Sequence, residues 1–275
     1  MMVQNSRAVS NSANLNVMSN AVFKAARGLV RDFGEVENLQ VSRKGPGDFV
    51  SAADLKVEKI LYEELLKARP TYGFLMEEAG ELDGEDSSHR WIIDPLDGTT
   101  NFLHGLPHFA ISVALEKDGE IIAGVVYDPV KDEMFMAEKG QGAFMNDRRL
   151  RVSSRKDMSQ ALLGTGLAWA LHTNKERETV SKAIALMMPQ TAGIRRMGSA
   201  ALDMAYVAAG RLDAYWEAPI MSWDIAAGII LVKEAGGFVC DLSGKDDVFG
   251  SNSILATNGK LHRQLSKDLI PVYKG

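Results

Sequence analysis

One short stretch joins a predicted strand to a predicted helix start and carries two acids between them: Trp91-Ile92-Ile93-Asp94-Pro95-Leu96-Asp97-Gly98-Thr99-Thr100-Asn101. The apolar run 91–93 is typical of a buried strand, and Pro95 is expected to end it, because proline cannot donate to a central sheet ladder. Asp97-Gly98 is a turn signal, and Thr99-Thr100 is suited to open a helix. The stretch therefore presents two carboxylates beside helix-start N–H groups, which favour a phosphate.

Other acids stand at comparable places along the chain. Glu77 follows the apolar pair Leu75-Met76, Asp54 lies in the first turn of a helix predicted over 52–68, and Asp224 opens a helix predicted over 224–235. Taken singly, each of these acids is explained as a helix cap or as a solvated residue at a strand end. Together they suggest a cluster, and clustered acids repel one another unless cations lie between them.

The ligand types indicate which cation. Oxygen ligands without a Cys or His set select Mg²⁺, Mn²⁺ or Ca²⁺. The five histidines show no metal-ligand spacing, which argues against zinc. The chain also has no Gly-rich nucleotide loop and no Gly-x-Ser-x-Gly nucleophile turn.

The periodicity changes along the chain and suggests its organisation. Helical spacing over 16–36 and 52–68 is followed by short apolar runs, from 72 to 138, that predict an antiparallel meander. From 161 onward, strands and helices alternate. We therefore divide the chain into a flexible N-terminal tail 1–15, a helical and antiparallel-sheet half 16–150, and an α/β half 151–275. The two halves are expected to form one compact catalytic unit around a shared cleft.

Composition bounds the class of protein. The chain has 275 residues, 46% of them hydrophobic, and a single cysteine, Cys240, so its core needs no disulfide. The net charge of −5 argues against direct nucleic-acid binding. No apolar run approaches the ~20 residues that span a bilayer, and residues 1–15 lack the apolar region of a signal peptide. We expect a cytoplasmic protein that does not bind membranes.

The sequence resembles the inositol monophosphatase family, within the wider group of lithium-sensitive, Mg²⁺-dependent phosphatases, from about Asn16 to Leu269. Residues 94–102 look like the family's first signature, and Trp223 to Gly228 with Glu234 to Gly237 look like the second. Residues 77–80 and 48–54 match the upstream motifs in order and spacing. The resemblance implies an α+β fold, a layered αβαβα sandwich shared with the sugar bisphosphatases.

The resemblance also implies two to three Mg²⁺ ions and their ligands. Glu77, Asp94 and the Leu96 carbonyl would hold the first ion, Asp94, Asp97 and Asp224 the second, and a third would sit near Glu77. Thr99, hydrogen-bonded to Asp54, would orient the attacking water. Backbone N–H groups of Gly98 and Thr99 would bind the phosphate. Lys44 resembles a loop lysine near the metal site.

We expect residues of the second half, 151–275, to select the substrate. Glu217 matches the family position that binds ring hydroxyls, and Gly198, Ser199 and Ala200 match the loop against the ring. We expect a phosphoric monoester hydrolase whose substrate is inositol 1-phosphate. A sugar bisphosphate such as fructose 1,6-bisphosphate and histidinol phosphate are alternatives, as is a non-catalytic role as a partner of RNA polymerase in antitermination. The family is commonly homodimeric.

Overall fold

A computed structural model describes residues 12–35, 41–45, 48–167 and 173–274; within 41–51 it describes only the backbone path of two short strands. The helices are α1 (Ala13–Phe33), α2 (Ala52–Ala68), α3 (Thr99–Leu103), α4 (Asn174–Met187), α5 (Ala200–Ala208), α6 (Ser222–Glu234), α7 (Val248–Ser251) and α8 (His262–Lys274). The strands are β1 (Val41–Gly45), β2 (Asp48–Ser51), β3 (Tyr72–Met76), β4 (Gly80–Leu82), β5 (Asp86–Asp97), β6 (Ala110–Lys117), β7 (Glu120–Asp128), β8 (Glu133–Glu138), β9 (Gly142–Met145), β10 (Arg148–Arg149), β11 (Leu162–Thr165), β12 (Gly193–Arg195), β13 (Ala214–Glu217), β14 (Phe238–Cys240) and β15 (Ile254–Thr257).

The first helix starts earlier than the sequence suggested. α1 begins at Ala13, because the Ser12 side chain accepts a hydrogen bond from the N–H of Leu15 at 3.1 Å and caps the helix. The predicted tail 1–15 is therefore wrong for its last three residues, which are helical. Residues 1–11 lie outside the described part of the chain.

The larger sheet has eight strands in the order β10-β9-β8-β7-β6-β5-β3-β4. Strands β5 to β10 are antiparallel neighbours in chain order, which confirms the predicted meander. β3 instead runs parallel to β5, with Met76 opposite Ile93. The carboxyl ends of β3 and β5 consequently lie side by side at one edge of the sheet.

The smaller sheet has five strands in the order β12-β11-β13-β15-β14. Its first three are parallel, and β15 and β14 complete it in antiparallel pairing. This mixed sheet agrees with the alternation of helices and strands after residue 161.

Three apolar clusters join helices and sheets into five layers. One cluster packs α1 and α2 on the outer face of the large sheet. A second packs α5 and α6 between the two sheets, and a third packs α4 and α8 on the outer face of the small sheet. The chain is an αβαβα sandwich, as predicted. The division into halves at residue 150 stays a prediction, since α5 and α6 of the second half bury against strands of both sheets.

The central layer is buried on all sides. All nine residues of α5 are buried, as is the run Ile225–Val232 in α6. Strand β5 also buries both of its faces, with Trp91 and Ile93 in the α1–α2 cluster and Ile92 in the central one. Burial on both faces explains why such strands are continuously apolar in sequence. It also fixes the end of β5 between two packed layers.

Candidate active site

The two acids of the 91–101 stretch both lie within β5, which runs on through Pro95 to Asp97. The expectation that Pro95 ends the strand is therefore wrong. Asp94 pairs with Ser112 and Asp97 with Ala110, so that Pro95 and Leu96 together stand opposite Ile111 alone. This is a β-bulge, the one interior sheet position where proline is tolerated.

The bulge places both acids on one side of the strand. Residues three apart in a regular strand point to opposite faces, because side chains alternate. One inserted residue reverses that parity. Asp94 and Asp97 consequently line the same cavity, and their carboxylates come together at its floor.

A third acid arrives from the central layer. Asp224 lies in the first turn of α6, where its Oδ2 accepts the N–H of Met221 at 3.1 Å. One carboxylate oxygen from each of Asp94, Asp97 and Asp224 lies within 4.8 Å of the other two. The structure thus brings together acids separated by 130 positions of sequence, as the sequence predicted.

Hydrogen bonds hold each of these acids by one oxygen. Oδ1 of Asp94 accepts the N–H of Leu96 at 2.9 Å, which closes the bulge. Oδ2 of Asp97 accepts the Ser199 hydroxyl at 2.5 Å and the N–H of Ala201 at 2.7 Å. These bonds fix the carboxylates in orientation while the three acids face one another.

Charge repulsion and burial oppose ionisation of this group. Burial, reinforced by Glu77, Asp97 and Asp224, raises the pKa of Asp94 well above its usual range. Burial also raises the pKa of Asp97 to about 6, although its hydrogen bonds from Ser199 and Ala201 lower it. The pKa of Asp224 is raised well above its usual range by burial, then by Asp97 and Glu77. A bound cation would reverse all three shifts.

Glu77 follows β3 directly and lines the same cavity. Since Met76 pairs with Ile93, Glu77 comes next to Asp94, and its N–H donates to the carbonyl of Ile93 at 3.2 Å. The turn after Glu77 is held by Glu58, whose carboxylate accepts the N–H groups of Glu78 and Ala79 at 2.8 and 2.9 Å. Sequence reasoning missed Glu58, which sits mid-helix with no visible signal.

Thr99 meets its predicted partner. Its Oγ1 lies 3.1 Å from Oδ1 of Asp54, a fully buried acid in the first turn of α2, and 3.0 Å from the carbonyl oxygen of Leu96. Gly98, just before α3, has φ +97°, a conformation that L side chains rarely adopt. The turn therefore favours glycine, and the residues that open α3, Gly98, Thr99 and Thr100, line the cavity.

The remaining predicted residues line the same cavity. The cavity has a volume of about 420 Å³ and is lined by these sequence-predicted residues: Glu77, Asp94, Leu96, Asp97, Gly98, Thr99, Gly198, Ser199, Ala200, Glu217 and Asp224. Glu217 accepts a short hydrogen bond from the Tyr215 hydroxyl. Burial raises the pKa of Glu217 to about 7, while the Tyr215 bond lowers it. Lys44 lies in strand β1, not in a loop, and its side chain is outside the described part.

Several lining residues escaped sequence reasoning: Thr100, Gly166, Leu167, Arg196, Asp203, Tyr215, Pro219, Ile220 and Met221. Tyr215 stands two residues before Glu217 in one strand, so strand alternation could have placed both on one face. Gly166 gave no signal. A Cβ there would lie 1.8 Å from Cδ of Glu217, so the carboxyl group of Glu217 occupies the space of the missing side chain.

The family follows from a match over nearly the whole chain. The model of the inositol monophosphatase family matches residues 10–272. The chain belongs to the inositol monophosphatase family. The acids of its cavity lie within the matched region, so the family match and the geometry refer to the same residues.

Relatives of this inositol monophosphatase family member match it over most of its length. Inositol-1-monophosphatase of Mesorhizobium japonicum is 55% identical over 94% of this chain and 97% of its own. Nus factor SuhB of Pseudomonas aeruginosa is 42% identical over 94% of this chain and 96% of its own. The crystal structure of extragenic suppressor protein suhB from Bartonella henselae, 55% identical, superposes with a TM-score of 0.90 and covers 94% of this chain and 98% of that one.

Inositol monophosphatases are metal-dependent phosphatases, and the donor set fits such an ion. Among the described residues, the group that could share a cation consists of carboxylates alone, without His or Cys. Such oxygen donors suit a hard divalent cation. No helix in the described ranges is long and apolar enough to cross a membrane.

Proposed function

We propose that this chain hydrolyses inositol 1-phosphate to inositol and phosphate with Mg²⁺ as cofactor. The observation that carries the proposal is the convergence of Asp94, Asp97 and Asp224 within 4.8 Å, in a cavity that Glu217 also lines. The acids suit divalent cations, and the carboxylate of Glu217 suits vicinal hydroxyls, since each oxygen can accept a hydrogen bond. The name of the Mesorhizobium relative points to the same substrate.

The ligand assignment is the one that the family resemblance implies. Glu77, Asp94 and the Leu96 carbonyl would hold one Mg²⁺, and Asp94, Asp97 and Asp224 a second. A third would lie near Glu77. Asp94 belongs to both sets, and its electrostatic interaction with Glu77, Asp97 and Asp224 supports that shared role. When bound, the ions would activate water and neutralise charge on the phosphate and on the leaving oxygen.

The chain's own residues then supply positioning. Asp54 holds the Thr99 hydroxyl, which would orient the attacking water and pass its proton toward the buried carboxylate. The N–H groups of Gly98 and Thr99 would bind phosphate oxygens. Ser199 and Ala201 keep Asp97 aimed at the acid group. Direct attack by water, with no phospho-enzyme, is the mechanism that we propose, because a metal ion held by the carboxylates would lower the pKa of its bound water.

A phosphate-release panel with Mg²⁺ titration tests this function. Inositol 1-phosphate, fructose 1,6-bisphosphate, histidinol phosphate and 3′-phosphoadenosine 5′-phosphate are compared by kcat/KM. We expect Mg²⁺-dependent release with inositol 1-phosphate preferred by at least about tenfold, and inhibition by lithium. Preference for another member of the panel would give the enzyme that substrate instead. A trapped aspartyl-phosphate would contradict direct attack by water.

A partner-binding role is the second candidate, because one relative is named Nus factor SuhB. Association with RNA polymerase would not require catalysis. Asp97→Asn separates the two functions, since it removes a metal-binding charge and changes little volume. Rescue of a null strain by this variant would favour the binding role, and failure of a well-folded variant to rescue would favour catalysis.

A homodimer is a further proposal. Helix α5 and strand β6 offer little surface to it, since all nine residues of α5 and seven of the eight residues of β6 are buried within the single chain. Sedimentation of the purified protein at several concentrations would test the dimer.

A further inference from the structure

Asp203 is a buried acid on the substrate side of the cavity that the proposed chemistry does not use. It lies in the first turn of α5, one turn after Ser199, and only 1% of its surface is exposed. It lines the cavity together with Tyr215 and Glu217. On its other side, its carboxyl carbon lies near the bare backbone of Gly164, where a Cβ would be 3.6 Å away.

The carboxyl group of Asp203 is incompletely satisfied. Its Oδ1 is buried and has no hydrogen-bond partner among the described residues. Buried polar atoms are nearly always paired, because an unpaired one destabilises the fold. The hydroxyl of Tyr215, a residue of the same cavity lining, already donates to Glu217.

The helix dipole does not account for this arrangement. An acid in the first turn of α5 is favoured by the dipole whether it is exposed or buried. Here the acid is instead buried beside two others, since Asp97 and Glu217, after burial itself, raise the pKa of Asp203 well above its usual range. Such a cost is typical of a site that a ligand completes.

We propose that Asp203 is a specificity-determining residue that exchanges a hydrogen bond with a ring hydroxyl of a polyol phosphate, beside the hydroxyls bound by Glu217. The inference rests on the proposed function, because it needs a substrate with adjacent hydroxyls. A phosphate ester without such hydroxyls leaves Oδ1 of Asp203 unpaired and gains nothing from this residue.

The test compares the activities of Asp203→Ala, the isosteric Asp203→Asn and the wild type on two substrates. Inositol 1-phosphate presents ring hydroxyls, and p-nitrophenyl phosphate presents none. We expect Asp203→Ala to lower kcat/KM for inositol 1-phosphate by about tenfold or more and to leave that for p-nitrophenyl phosphate within about twofold. Asp203→Asn, which can still donate and accept, should retain more activity than the alanine variant.

A set of monodeoxy-inositol phosphates identifies the hydroxyl. For the wild type, one analogue should have a kcat/KM about tenfold below that of inositol 1-phosphate. For Asp203→Ala, the same analogue and inositol 1-phosphate should have about equal kcat/KM, because the carboxyl group and the hydroxyl act as a pair. Tyr206→Phe on the same helix, outside the cavity lining, is the matched control and should leave both substrates unchanged.

Three outcomes would overturn the assignment. Asp203→Ala could lower kcat/KM equally for both substrates, or for neither. The deoxy analogues could also lose as much kcat/KM with Asp203→Ala as with the wild type. The failures are distinguishable. A wild type without preference for inositol 1-phosphate over p-nitrophenyl phosphate would remove the proposed function and this inference together. If the wild type shows that preference and Asp203→Ala keeps it, this inference alone is removed.

Discussion

The Ser199 hydroxyl donates a hydrogen bond of 2.5 Å to Oδ2 of Asp97, across 102 positions of sequence. The same oxygen accepts the N–H of Ala201, so the first turn of α5 holds an acid that belongs to the end of β5. Ser199 also accepts the N–H of Leu202 at 3.3 Å and caps the helix. One side chain thus links the start of α5 to an acid that lines the cavity.

This link predicts that Ser199→Ala weakens metal binding. Without the hydroxyl, Asp97 loses a bond that fixes its orientation. We expect the Mg²⁺ concentration for half-maximal activity to rise by about tenfold, the scale seen when partners of metal ligands are removed. The measurement is a Mg²⁺ titration of phosphate release. Ser243→Ala is the control, because it removes a similar bond, 3.0 Å to Asp241, in a turn outside the cavity lining. An unchanged Mg²⁺ dependence for Ser199→Ala would contradict the link.

The acid group predicts an unusual pH dependence of stability without metal. Burial raises the pKa of Asp97 from an ordinary value of 3.8 to about 6, so the folded protein holds a proton that the unfolded chain releases at lower pH. The resulting stabilisation is complete below the ordinary pKa and is lost as pH rises through about 6, a change on the order of 3 kcal/mol.

Thermal unfolding with a chelator should therefore give a lower Tm at about pH 8 than at about pH 5, and Mg²⁺ should raise the Tm more at the higher pH. Asp97→Asn serves as the comparison, since it removes one titrating acid and should flatten the dependence. A chelated wild type equally stable at both pH values would show that burial does not raise the pKa of Asp97 as described.

Gly166 predicts a steric effect on substrate choice. A Cβ at this position would lie 1.8 Å from Cδ of Glu217, so Gly166→Ala must displace the carboxyl group. We expect kcat/KM for inositol 1-phosphate to fall by about tenfold or more, with a smaller loss for p-nitrophenyl phosphate. Gly28→Ala in α1 is the control, because its Cβ would meet only the end of Lys56 at 3.5 Å, and helix propensity favours alanine. Equal activity of Gly166→Ala and the wild type would place Glu217 away from the substrate.

We expect turnover to depend on the hydroxyl group of Thr99. Thr99→Val keeps the volume and removes the group bonded to Asp54, so we expect kcat to fall by about 100-fold with little change in KM. Thr99→Ser keeps the hydroxyl and should lie within about tenfold of the wild type. Steady-state kinetics at saturating Mg²⁺ give both numbers. Similar losses in the two variants would assign the effect to packing rather than to the hydroxyl.

Much of the architecture was accessible from local pattern. Helix 52–68 and the strands 72–76 and 133–138 have the bounds that the sequence predicted, because their apolar periods are regular and their ends carry turn residues. The bulge at Pro95 was not accessible. Proline suggested a strand end, whereas pairing with β6 carries the strand two residues further.

The acids themselves were identified in sequence by their places at strand and helix ends and by the family motifs. The groups that hold or surround them were not. Glu58 reaches Glu78 and Ala79 from twenty positions away, and Asp203 reaches the cavity from the buried face of a helix that is apolar almost throughout. Neither position differs in its neighbours from an ordinary helical acid.

The sequence by itself determined the order of helices and strands, the layered class and the identity of the acids, because these depend on period, turn chemistry and motif within short windows. Only the tertiary structure decided which oxygens of these acids are held by hydrogen bonds and which residues enclose the cavity. Those features depend on the register of β5 against β6 and on the packing of α5 and α6 between two sheets. Contacts across a hundred positions are fixed by burial of the whole core, which no local pattern contains.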